Sequence, residues 1–479
     1  MSQDLINILR LHGRQRAGEL LARLQVSRPT LMRAVRAAGP QVIVGGKARR
    51  TSYAARRALR GSLAPLPLYQ VDPTGQVRQI AFLHLMYPDG CAAEFLEGFG
   101  WPLDGQDMQD GWFEGLPYAL QDMRPQGFLG RHFARRHATL LQVPENPALW
   151  SDDDALHALS LLGADTPGNL MVGEAACRAW LEQAQRFRAG DVPRVWRQGE
   201  WEALYPRLAD EALLDGEPGS SAGGEFPKFT AMRLAEREGD GAGDAQHLLV
   251  KFSGADASAG SQRWADLLVC EHLACEVLRE HLGIQAATSR IRMAGGRTFL
   301  EVERFDRHGL TGRSGVVSWA SLDGAFFGTA GRPWTEAGQR LAAKGWLQAE
   351  QALQLACLWH FGQLIANTDM HDGNLAFQLA AAPGPARSGA ALQTAPVYDM
   401  LPMAYAPVRG VELPARVYAP KMPLPGEQLA WAAAAQAARV FWEMAAEDSR
   451  ISVGFRAVCR RNAGVLAGVM ALYLPSEES

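Results

Sequence analysis

The chain lacks the sequence features that mark secreted and membrane proteins. It has only six cysteines in 479 residues, and no two of them form a C-x-x-C pair. This usage predicts reduced, mostly buried thiols in a cytosolic protein rather than a disulfide framework. No apolar run reaches the roughly 18 residues of a membrane span, and the polar N-terminus has no hydrophobic signal-peptide core. These absences predict a cytoplasmic protein without a membrane partner.

The composition instead predicts a large folded protein with an uneven distribution of charge. Hydrophobic residues make up 47% of the chain, and its length suggests about three domains. The formal net charge is only -3, but residues 1–60 contain one Lys and twelve Arg against Asp4 and Glu19, a net of +11. The remainder therefore carries a net charge of -14. A basic head on an acidic body predicts that the head binds a polyanion.

The basic head also has the pattern of a small helical domain. Apolar spacing predicts helices over residues 4–11 and 17–24, and capping residues predict a third over residues 27–38. Residues 42–53 have the pattern of a β-hairpin. Three helices followed by a hairpin predict a winged helix-turn-helix domain over residues 1–61.

In such a domain the third helix enters the major groove of DNA, and the wing meets phosphates or the minor groove. The residues placed for these contacts are Arg28, Thr30, Arg33 and Arg36 on the helix, and Arg49 and Arg50 on the wing. The alternative is an Arg-rich helical cap that binds nothing or docks on the acidic body. The order of helices, the turn and the charge together favour DNA binding.

A polar segment between two apolar runs has the residue types that phosphoryl transfer needs. Asp369, His371 and Asn374 form a D-x-H-x-x-N pattern there. In kinase-type enzymes such an Asp takes or orients the hydroxyl proton, and the Asn holds a metal ion. Asp399, at the end of a later apolar run, is placed to bind the metal as well. The alternative is an Asn/Asp-rich turn between two helices, in which Asn374 is a cap.

Upstream segments supply the other parts of a nucleotide site. Glycines in residues 217–229 would let backbone N–H groups approach phosphates, although a plain hairpin or linker has the same composition. An apolar strand carries Lys251, and the helix predicted over residues 264–282 carries Glu271 to hold it; the alternative is a Lys with only its stem buried and an exposed Glu. A strand over residues 298–307 would offer free edge groups to adenine. These parts follow one another in the order of a bilobal kinase.

Four stretches carry a family resemblance: S-S-A-G-G-E-F-P-K (220–228), V-E-R-F-D-R (302–307), N-T-D-M-H-D-G-N (367–374) and V-Y-D (397–399). Together they resemble the HipA family of serine/threonine protein kinases, which are toxins of bacterial toxin–antitoxin systems. The resemblance covers roughly residues 70–460. The fused basic head is similar to the YjjJ-type branch, in which a DNA-binding segment precedes the kinase body. Gly373 departs from the Lys that many members carry there.

The resemblance implies an α+β fold. A bilobal, protein-kinase-like body with a largely α-helical C-lobe would follow the winged helix-turn-helix domain. Its parts would be a HipA-like N-terminal subdomain over residues 66–190, a kinase N-lobe over residues 191–310 and a helical C-lobe over residues 311–479.

The resemblance also implies roles for matched residues. Asp369 would be catalytic, and Asn374 and Asp399 would hold a Mg²⁺ ion that bridges the phosphates of ATP. The ATP-binding residues would be Lys251, Gly223, Gly224, Glu303, Phe305 and His371, the last as a structural hydrogen-bonding residue rather than a proton carrier. Ser220 or Ser221 matches the loop serine that members phosphorylate on themselves. Such a phosphate adds a charge of about -1.5 to -2 and would expel the loop from the nucleotide site.

The expected function is therefore an ATP- and Mg²⁺-dependent protein kinase of the toxin type. Its substrate would be a translation-related protein, such as an aminoacyl-tRNA synthetase. Its other expected partners are DNA, an antitoxin chain and a second copy in a homodimer. Two alternatives stay open: a DNA-binding regulator with a catalytically silent body, and a small-molecule or lipid phosphotransferase, since D-x-H-x-x-N also resembles lipid-kinase loops.

Overall fold

A computed structural model of the chain describes residues 1–192, 195–196, 199–214, 226–234, 245–380, 391–408, 413 and 415–473. The chain divides into two compact units. One consists of Met1–Gln126 and Phe133–Gly190, and the other of Gly127–His132 and Asp191–Ser479. Both contain helices and strands, so the protein has a mixed α and β structure. Among the described residues, no helix is both long and apolar enough to cross a membrane.

The N-terminal head forms three helices and a small antiparallel sheet. In chain order its elements are α1 (Ser2–His12), β1 (Gln15–Arg16), α2 (Ala17–Leu24), α3 (Arg28–Ala38), β2 (Val42–Gly45) and β3 (Ser52–Ala55). The strands lie in the order β1-β3-β2. Leucines of all three helices, among them Leu5, Leu20 and Leu31, are buried in one core with Tyr53 of β3. This core is what fixes the orientation of α3 within the head.

A five-stranded antiparallel sheet follows the head. Its strands and the accompanying helices are β4 (Leu66–Val71), β5 (Val77–Leu85), β6 (Cys91–Phe95), α4 (Gly105–Gln109), β7 (Trp112–Phe113), α5 (Gly127–Leu141), α6 (Asp152–Leu162), β8 (Leu170–Val172) and α7 (Glu174–Arg188). The strands lie in the order β7-β6-β5-β4-β8. Helix α6 begins with a capping box, in which Ser151 and Asp154 satisfy each other's backbone N–H groups.

Within this first unit, the head packs directly on the sheet. Ile43 and Ala54 of the head are buried in one apolar cluster with Met86, Ala92 and Trp112. Gly45 lies against the ring of Trp112, where a Cβ atom would come within 2.7 Å of a ring carbon. Four ion pairs also join the head to the residues that follow it: Arg14–Asp107, Arg50–Asp110, Arg57–Asp153 and Arg60–Asp154. The head and the sheet therefore share one apolar cluster in addition to the head's own core.

The second unit begins with another five-stranded sheet. Its elements are β9 (Val195–Trp196), α8 (Trp201–Leu214), β10 (Lys228–Leu234), β11 (Ala245–Phe252), α9 (Ala259–His281), β12 (Ser289–Ala294) and β13 (Arg297–Glu303), and the strand order is β12-β13-β11-β10-β9. Successive side chains of a strand point to opposite faces. Phe252 therefore packs with Tyr205 of α8 on one face, while the adjacent Lys251 reaches α9 on the other.

Helices dominate the remainder of the second unit. Its elements are β14 (Arg307–His308), β15 (Gly312–Arg313), β16 (Val316–Ser318), α10 (Trp319–Phe326), α11 (Trp334–Ala343), α12 (Ala349–Leu364), β17 (Ala376–Leu379), β18 (Leu392–Thr394), α13 (Gln428–Glu447) and α14 (Val453–Tyr473). Large aromatic side chains such as Trp319, Phe361 and Trp442 fill its core. The polar segment with Asp369 connects α12 to β17, the middle strand of the β16-β17-β18 sheet.

Candidate active site and basic surface

Lys251 is the centre of a buried ion cluster in the second unit. Its Nζ donates hydrogen bonds to both carboxylate oxygens of Glu271, at 2.7 and 2.8 Å, and to a carboxylate oxygen of Asp399. Lys251 is only 3% exposed and Glu271 only 2%. The strand Lys, the helix Glu and the distant Asp singled out in the sequence therefore lie together.

The charges in this cluster alter one another's pKa values. Burial alone would raise the pKa of Asp399, but the positive charges of Lys251 and Lys228 outweigh it and lower this pKa to about 2. Burial would lower the pKa of Lys251, yet Asp399 and Glu271 raise it. Burial raises the pKa of Glu271 against the opposing effect of Lys251. Asp399 is thus an ionised carboxylate at neutral pH.

The polar segment after α12 is held against Asp399 by Asn367. The Asn367 Nδ2 group donates to the backbone oxygen of Asp399 at 3.3 Å, and its Oδ1 accepts from the N–H of Asp369 at 3.0 Å. Asn374 in turn donates from Nδ2 to the backbone oxygen of Asp369 at 2.8 Å. Ala366 and Asp399 both have left-handed backbones, with φ of 59° and 54°. Such backbones cluster at functional sites, where the surrounding structure holds them in place.

His371 and Gly373 shape the same loop. The Nδ1 atom of the exposed His371 accepts a hydrogen bond from the N–H of Gly373 at 3.1 Å. A Cβ atom at position 373 would lie 3.0 Å from the imidazole ring, so glycine suits this turn. The hydroxyl of Tyr398 also donates to the Gly373 carbonyl, at 2.9 Å. His371 was predicted to have a structural role, and such a role involves hydrogen bonds to the backbone like this one.

Strand β13, whose free edge groups were expected to bind adenine, is paired on both sides. Strand β13 is not an edge strand, because β12 and β11 pair with it on its two sides. The N–H of Glu303 donates to the carbonyl of Thr288 at 2.8 Å. The expectation of free edge groups is therefore wrong for this N–H, because the strand that returns from α9 pairs as far as Glu303.

Phe305 lies just beyond that strand. Its ring stacks on Tyr398 with 6.0 Å between centroids, and its carbonyl oxygen accepts from Gln378 Nε2 at 3.4 Å. The stacking places Phe305 beside the residue that precedes Asp399. Phe305 thus contacts Tyr398, the neighbour of Asp399 in the chain, and its role in a nucleotide pocket stays a prediction.

Sequence reasoning did not assign roles to two residues that belong to this site. Lys228 pairs in register with Lys251 across strands β10 and β11, and its charge acts on both Glu271 and Asp399. Asn367 bridges the polar segment of Asp369 and the backbone of Asp399. Lys228 ends one of the motifs that carry the family resemblance, but only the strand register shows which residue it faces.

The donor atoms near the loop fit a magnesium ion completed by phosphates. Asp399 offers an ionised carboxylate and Asn374 an amide oxygen, and Mg²⁺ is usually bound by one or two carboxylates together with substrate phosphates and water. Among the described residues, no group of three or more His, Cys, Asp or Glu could hold a metal ion. The predicted loop residues Ser220, Ser221, Gly223 and Gly224 lie outside the described residues.

The head presents a second candidate site on helix α3. Arg28, Arg33 and Arg36 are exposed, and the half-buried Thr30 receives a hydrogen bond from Arg33 at 3.2 Å. Arg50 is exposed but forms an ion pair with Asp110 at 3.4 Å. The side chain of Arg49 lies outside the described part of the chain. Helix α3 thus presents three exposed arginines to solvent.

Other arginines of the head are used for docking within the first unit. Arg14, Arg57 and Arg60 form ion pairs with aspartates of the following domain. Docking on acidic residues, the alternative weighed against DNA binding, therefore occurs for these three residues. It leaves the arginines of α3 exposed.

Comparisons of the sequence with known proteins identify its family. The family profile of the YjjJ-like toxin middle domain matches residues 62–181, and that of the HipA-like C-terminal domain matches residues 220–461. Toxin YjjJ of Escherichia coli (strain K12) is 37% identical over 458 residues, which cover 95% of this chain and 96% of that protein.

Two solved structures are more distantly similar. A chain of the Shewanella oneidensis MR-1 complex of HipA, HipB and operator DNA has 16% identity and a TM-score of 0.45, with coverage of 85% of this chain and 97% of that chain. The proinflammatory kinase CtkA of Helicobacter pylori has 16% identity and a TM-score of 0.24, with coverage of 35% and 57%. The extent of the sequence matches shows that the chain belongs to the YjjJ-type branch of the HipA family of toxins.

Proposed function

We propose that this protein is a kinase that uses ATP and Mg²⁺ to phosphorylate a serine or threonine of another protein. The observation that supports this most strongly is the continuous set of hydrogen bonds from Lys251 through Asp399 and Asn367 to Asp369. Lys251 and Asp399 lie 148 positions apart in the chain. A cluster of a strand Lys, a helix Glu and a metal-binding Asp is the arrangement that kinases need.

Each residue has a chemical task in the proposed reaction. Lys251, oriented by Glu271, would bind a phosphate oxygen of ATP, and Asp399 and Asn374 would hold the metal ion. Bound Mg²⁺ offsets negative charge on the phosphates. Asp369 orients the acceptor hydroxyl and takes its proton as the oxygen bonds to the γ-phosphorus. The bond to the bridging β–γ oxygen breaks, and ADP leaves with that electron pair.

The substrate class and self-modification follow from the family resemblance. We expect a translation-related protein as substrate and phosphorylation of Ser220 or Ser221 in the glycine-rich loop. A dianionic phosphate there would compete with ATP for the cations of the site, including Lys251 and Lys228. This modification would switch the kinase off.

The head is proposed to be a winged helix-turn-helix that binds DNA and regulates expression of the protein's own gene. Helix α3 would be the recognition helix, with Arg28, Thr30, Arg33 and Arg36 toward the major groove and Arg49 and Arg50 toward phosphates. The exposure of the three α3 arginines supports this assignment. Arg14, Arg57 and Arg60 pair with aspartates of the following domain, so they orient the head and are not assigned to DNA contact.

The decisive experiment compares two single-carboxylate changes in one loop. Asp369→Asn should abolish phosphotransfer, whereas Asp372→Asn, which removes the same charge three residues away, should keep it. Asp372 accepts a hydrogen bond from the N–H of Gly331 at 2.9 Å, and Asn can preserve that bond. Mass spectrometry of phosphopeptides from cells that express each form reports activity, loop modification and substrate together. Normal phosphorylation by Asp369→Asn would refute the kinase assignment.

Transfer of label from labelled ATP to a cell extract, with and without protease treatment of the products, separates the proposal from its alternatives. A catalytically silent body would transfer no phosphate in the wild-type protein, although it keeps Lys251, Glu271 and Asp399. A small-molecule or lipid kinase would label products of a cell extract that resist protease treatment. Protein kinase activity requires label that protease digestion converts to short peptides.

A further inference from the structure

Asp266 is a buried carboxylate that the proposed reaction does not use. It lies on α9, five residues before Glu271, and is 1% exposed. Both of its carboxylate oxygens are bonded by one residue outside the helix: the N–H of Ser452 donates to Oδ1 at 2.7 Å, and the Ser452 hydroxyl donates to Oδ2 at 2.6 Å. Such charge-assisted hydrogen bonds are stronger than those between neutral groups.

Ser452 is itself the residue that precedes α14. Its hydroxyl accepts from the N–H of Phe455 at 3.4 Å, and its carbonyl accepts from the N–H of Arg456 at 2.9 Å. Asp266 therefore places its negative charge at the N-terminal end of α14, where the helix dipole favours it. The contact fixes the position of α9 along α14.

Arg263 forms a second connection one turn earlier on α9. It donates to the backbone oxygen of Tyr405 at 3.1 Å, and its guanidinium lies 4.2 Å from the centroid of the Phe455 ring. The hydroxyl of Tyr405 accepts from Asn462 of α14 at 2.8 Å. Tyr405 follows the segment that carries Asp399. Helix α9 is thus tied both to α14 and to the metal-binding segment.

The catalytic loop is attached to the same region. The N–H of Ala404, adjacent to Tyr405, donates to the carbonyl of Ala366 at 3.0 Å. Ala366 begins the turn that leads to Asp369. The buried polar cluster of Arg263, Asp266, Tyr405, Ser452 and Asn462 therefore connects the supports of Glu271, Asp399 and Asp369.

We infer that Asp266 is a positioning residue for ATP binding, which acts by holding the Glu271-bearing helix on α14 so that the Lys251–Glu271 pair is already formed before ATP arrives. This inference rests on the proposed kinase function. It also assigns α9 as a fixed element of the site rather than a helix that swings to switch activity. Any regulation of the kinase activity would then act through elements other than α9, such as the glycine-rich loop.

The test measures ATP affinity and steady-state kinetics of the full chain with Asp266→Ala, below its unfolding temperature. The expected result is a rise in the Kd and KM for ATP of about tenfold, which corresponds to ~1.4 kcal/mol, with a smaller change in kcat. Asp266→Asn keeps an acceptor for the Ser452 N–H and should recover most of the affinity. Asp448→Ala is the matched control, because Asp448 accepts from the Arg450 N–H in the same α13–α14 connection. It should leave ATP affinity unchanged.

A double-mutant cycle distinguishes positioning from a general loss of stability. If Asp266 acts through Glu271, Asp266→Ala should weaken ATP binding no further in a Glu271→Gln background. A purely structural role would lower the unfolding temperature while leaving the Kd for ATP within about twofold of wild type. That result, or additive effects in the cycle, would overturn the inference.

Two further measurements keep the outcome interpretable. If Asp266→Ala does not fold, Ser452→Ala takes its place, because it removes only one of the two hydrogen bonds to Asp266. A smaller increase in the Kd for ATP is then expected. Failure of the kinase proposal itself has a different signature: the wild-type protein would not bind ATP, and Lys251→Met would change nothing. ATP binding that depends on Lys251 but not on Asp266 or Ser452 would refute the positioning role alone.

Discussion

Lys228 and Lys251 lie directly opposite each other on neighbouring strands, so two cations face the same carboxylates. They differ in burial, because Lys251 is buried in ion pairs with Glu271 and Asp399, whereas Lys228 is half-buried. We therefore expect Lys251 to contribute more to ATP binding than Lys228.

We expect Lys251→Met to abolish measurable ATP binding and Lys228→Met to weaken it by about tenfold. Both changes remove one positive charge, but Lys251 is the more deeply buried of the two, and its ion pairs with Glu271 and Asp399 hold its Nζ atom in place. A single charge-assisted hydrogen bond contributes about 1.5–3 kcal/mol, which corresponds to at least tenfold in affinity. Titration with ATP and Mg²⁺ measures the two losses, and Lys344→Met, on a lysine at the end of α11, is the control. Equal losses at both positions would contradict this ranking.

The Lys251–Glu271 ion pair should also contribute to the stability of the second unit. Removal of one partner from a buried ion pair leaves an uncompensated charge and typically costs about 3–5 kcal/mol. Lys251→Met should therefore lower the unfolding temperature of the second unit. Lys251→Met combined with Glu271→Leu should restore much of it, because the more deeply buried of the two carboxylates that lose their cation is then removed as well, yet activity should stay absent. If the double variant is less stable than the single one, the pair is not the source of the effect.

Arginines of the head should fall into two functional groups. Arg33→Ala or Arg36→Ala on α3 should weaken DNA binding and reduce the slope of log affinity against log salt by about 1 each, without changing stability. Arg57→Ala should instead lower the unfolding temperature of the first unit, because Arg57 pairs with Asp153 and donates to the Met86 carbonyl at 3.2 Å. Binding of operator-region DNA at two salt concentrations, with thermal unfolding in parallel, tests both halves. Identical behaviour of Arg33 and Arg57 would argue against the division.

The stability of the second unit should also depend on pH through His360. Burial lowers the pKa of this residue, with a smaller opposing effect of Glu427. The unfolded chain therefore binds a proton at higher pH than the folded one. The contribution of the neutral His360 to the free energy of unfolding is complete above pH ~6.5 and is lost as the pH falls below that value. His360→Gln should flatten the dependence of unfolding temperature on pH between about 7 and 5. The same change at the exposed His281 is the control, and an unaltered profile for His360→Gln would contradict the assignment.

Local signals explain why some elements are predictable from the sequence. The third helix is predicted over residues 27–38 and observed as Arg28–Ala38, because Ser27, Pro29 and Gly39 mark its ends. Helix α9 begins five residues before its prediction, at Ala259, since the hydroxyl of Ser258 accepts from the Ser261 N–H and caps it there. Strand β1 has two residues and no alternation to detect.

The candidate site was predictable in its residue types but not in its contacts. The D-x-H-x-x-N pattern and the order of motifs identify Asp369, Asn374 and Lys251 as a group with shared chemistry. The role of Asn367 depends on a hydrogen bond to a residue 32 positions away, and that of Lys228 on strand register. The Glu303 N–H is likewise used by Thr288, just before β12, and nothing in the local sequence indicates this bond.

The contact between Gly45 and Trp112 has a practical consequence for truncated proteins. The apolar surface under the hairpin of the head continues into residues well past position 61. A fragment cut at that position would leave Ile43 and Ala54 open to water, and removal of the head would do the same to Met86 and Trp112. The shortest piece suited to DNA-binding assays is therefore one that keeps residues 1–190.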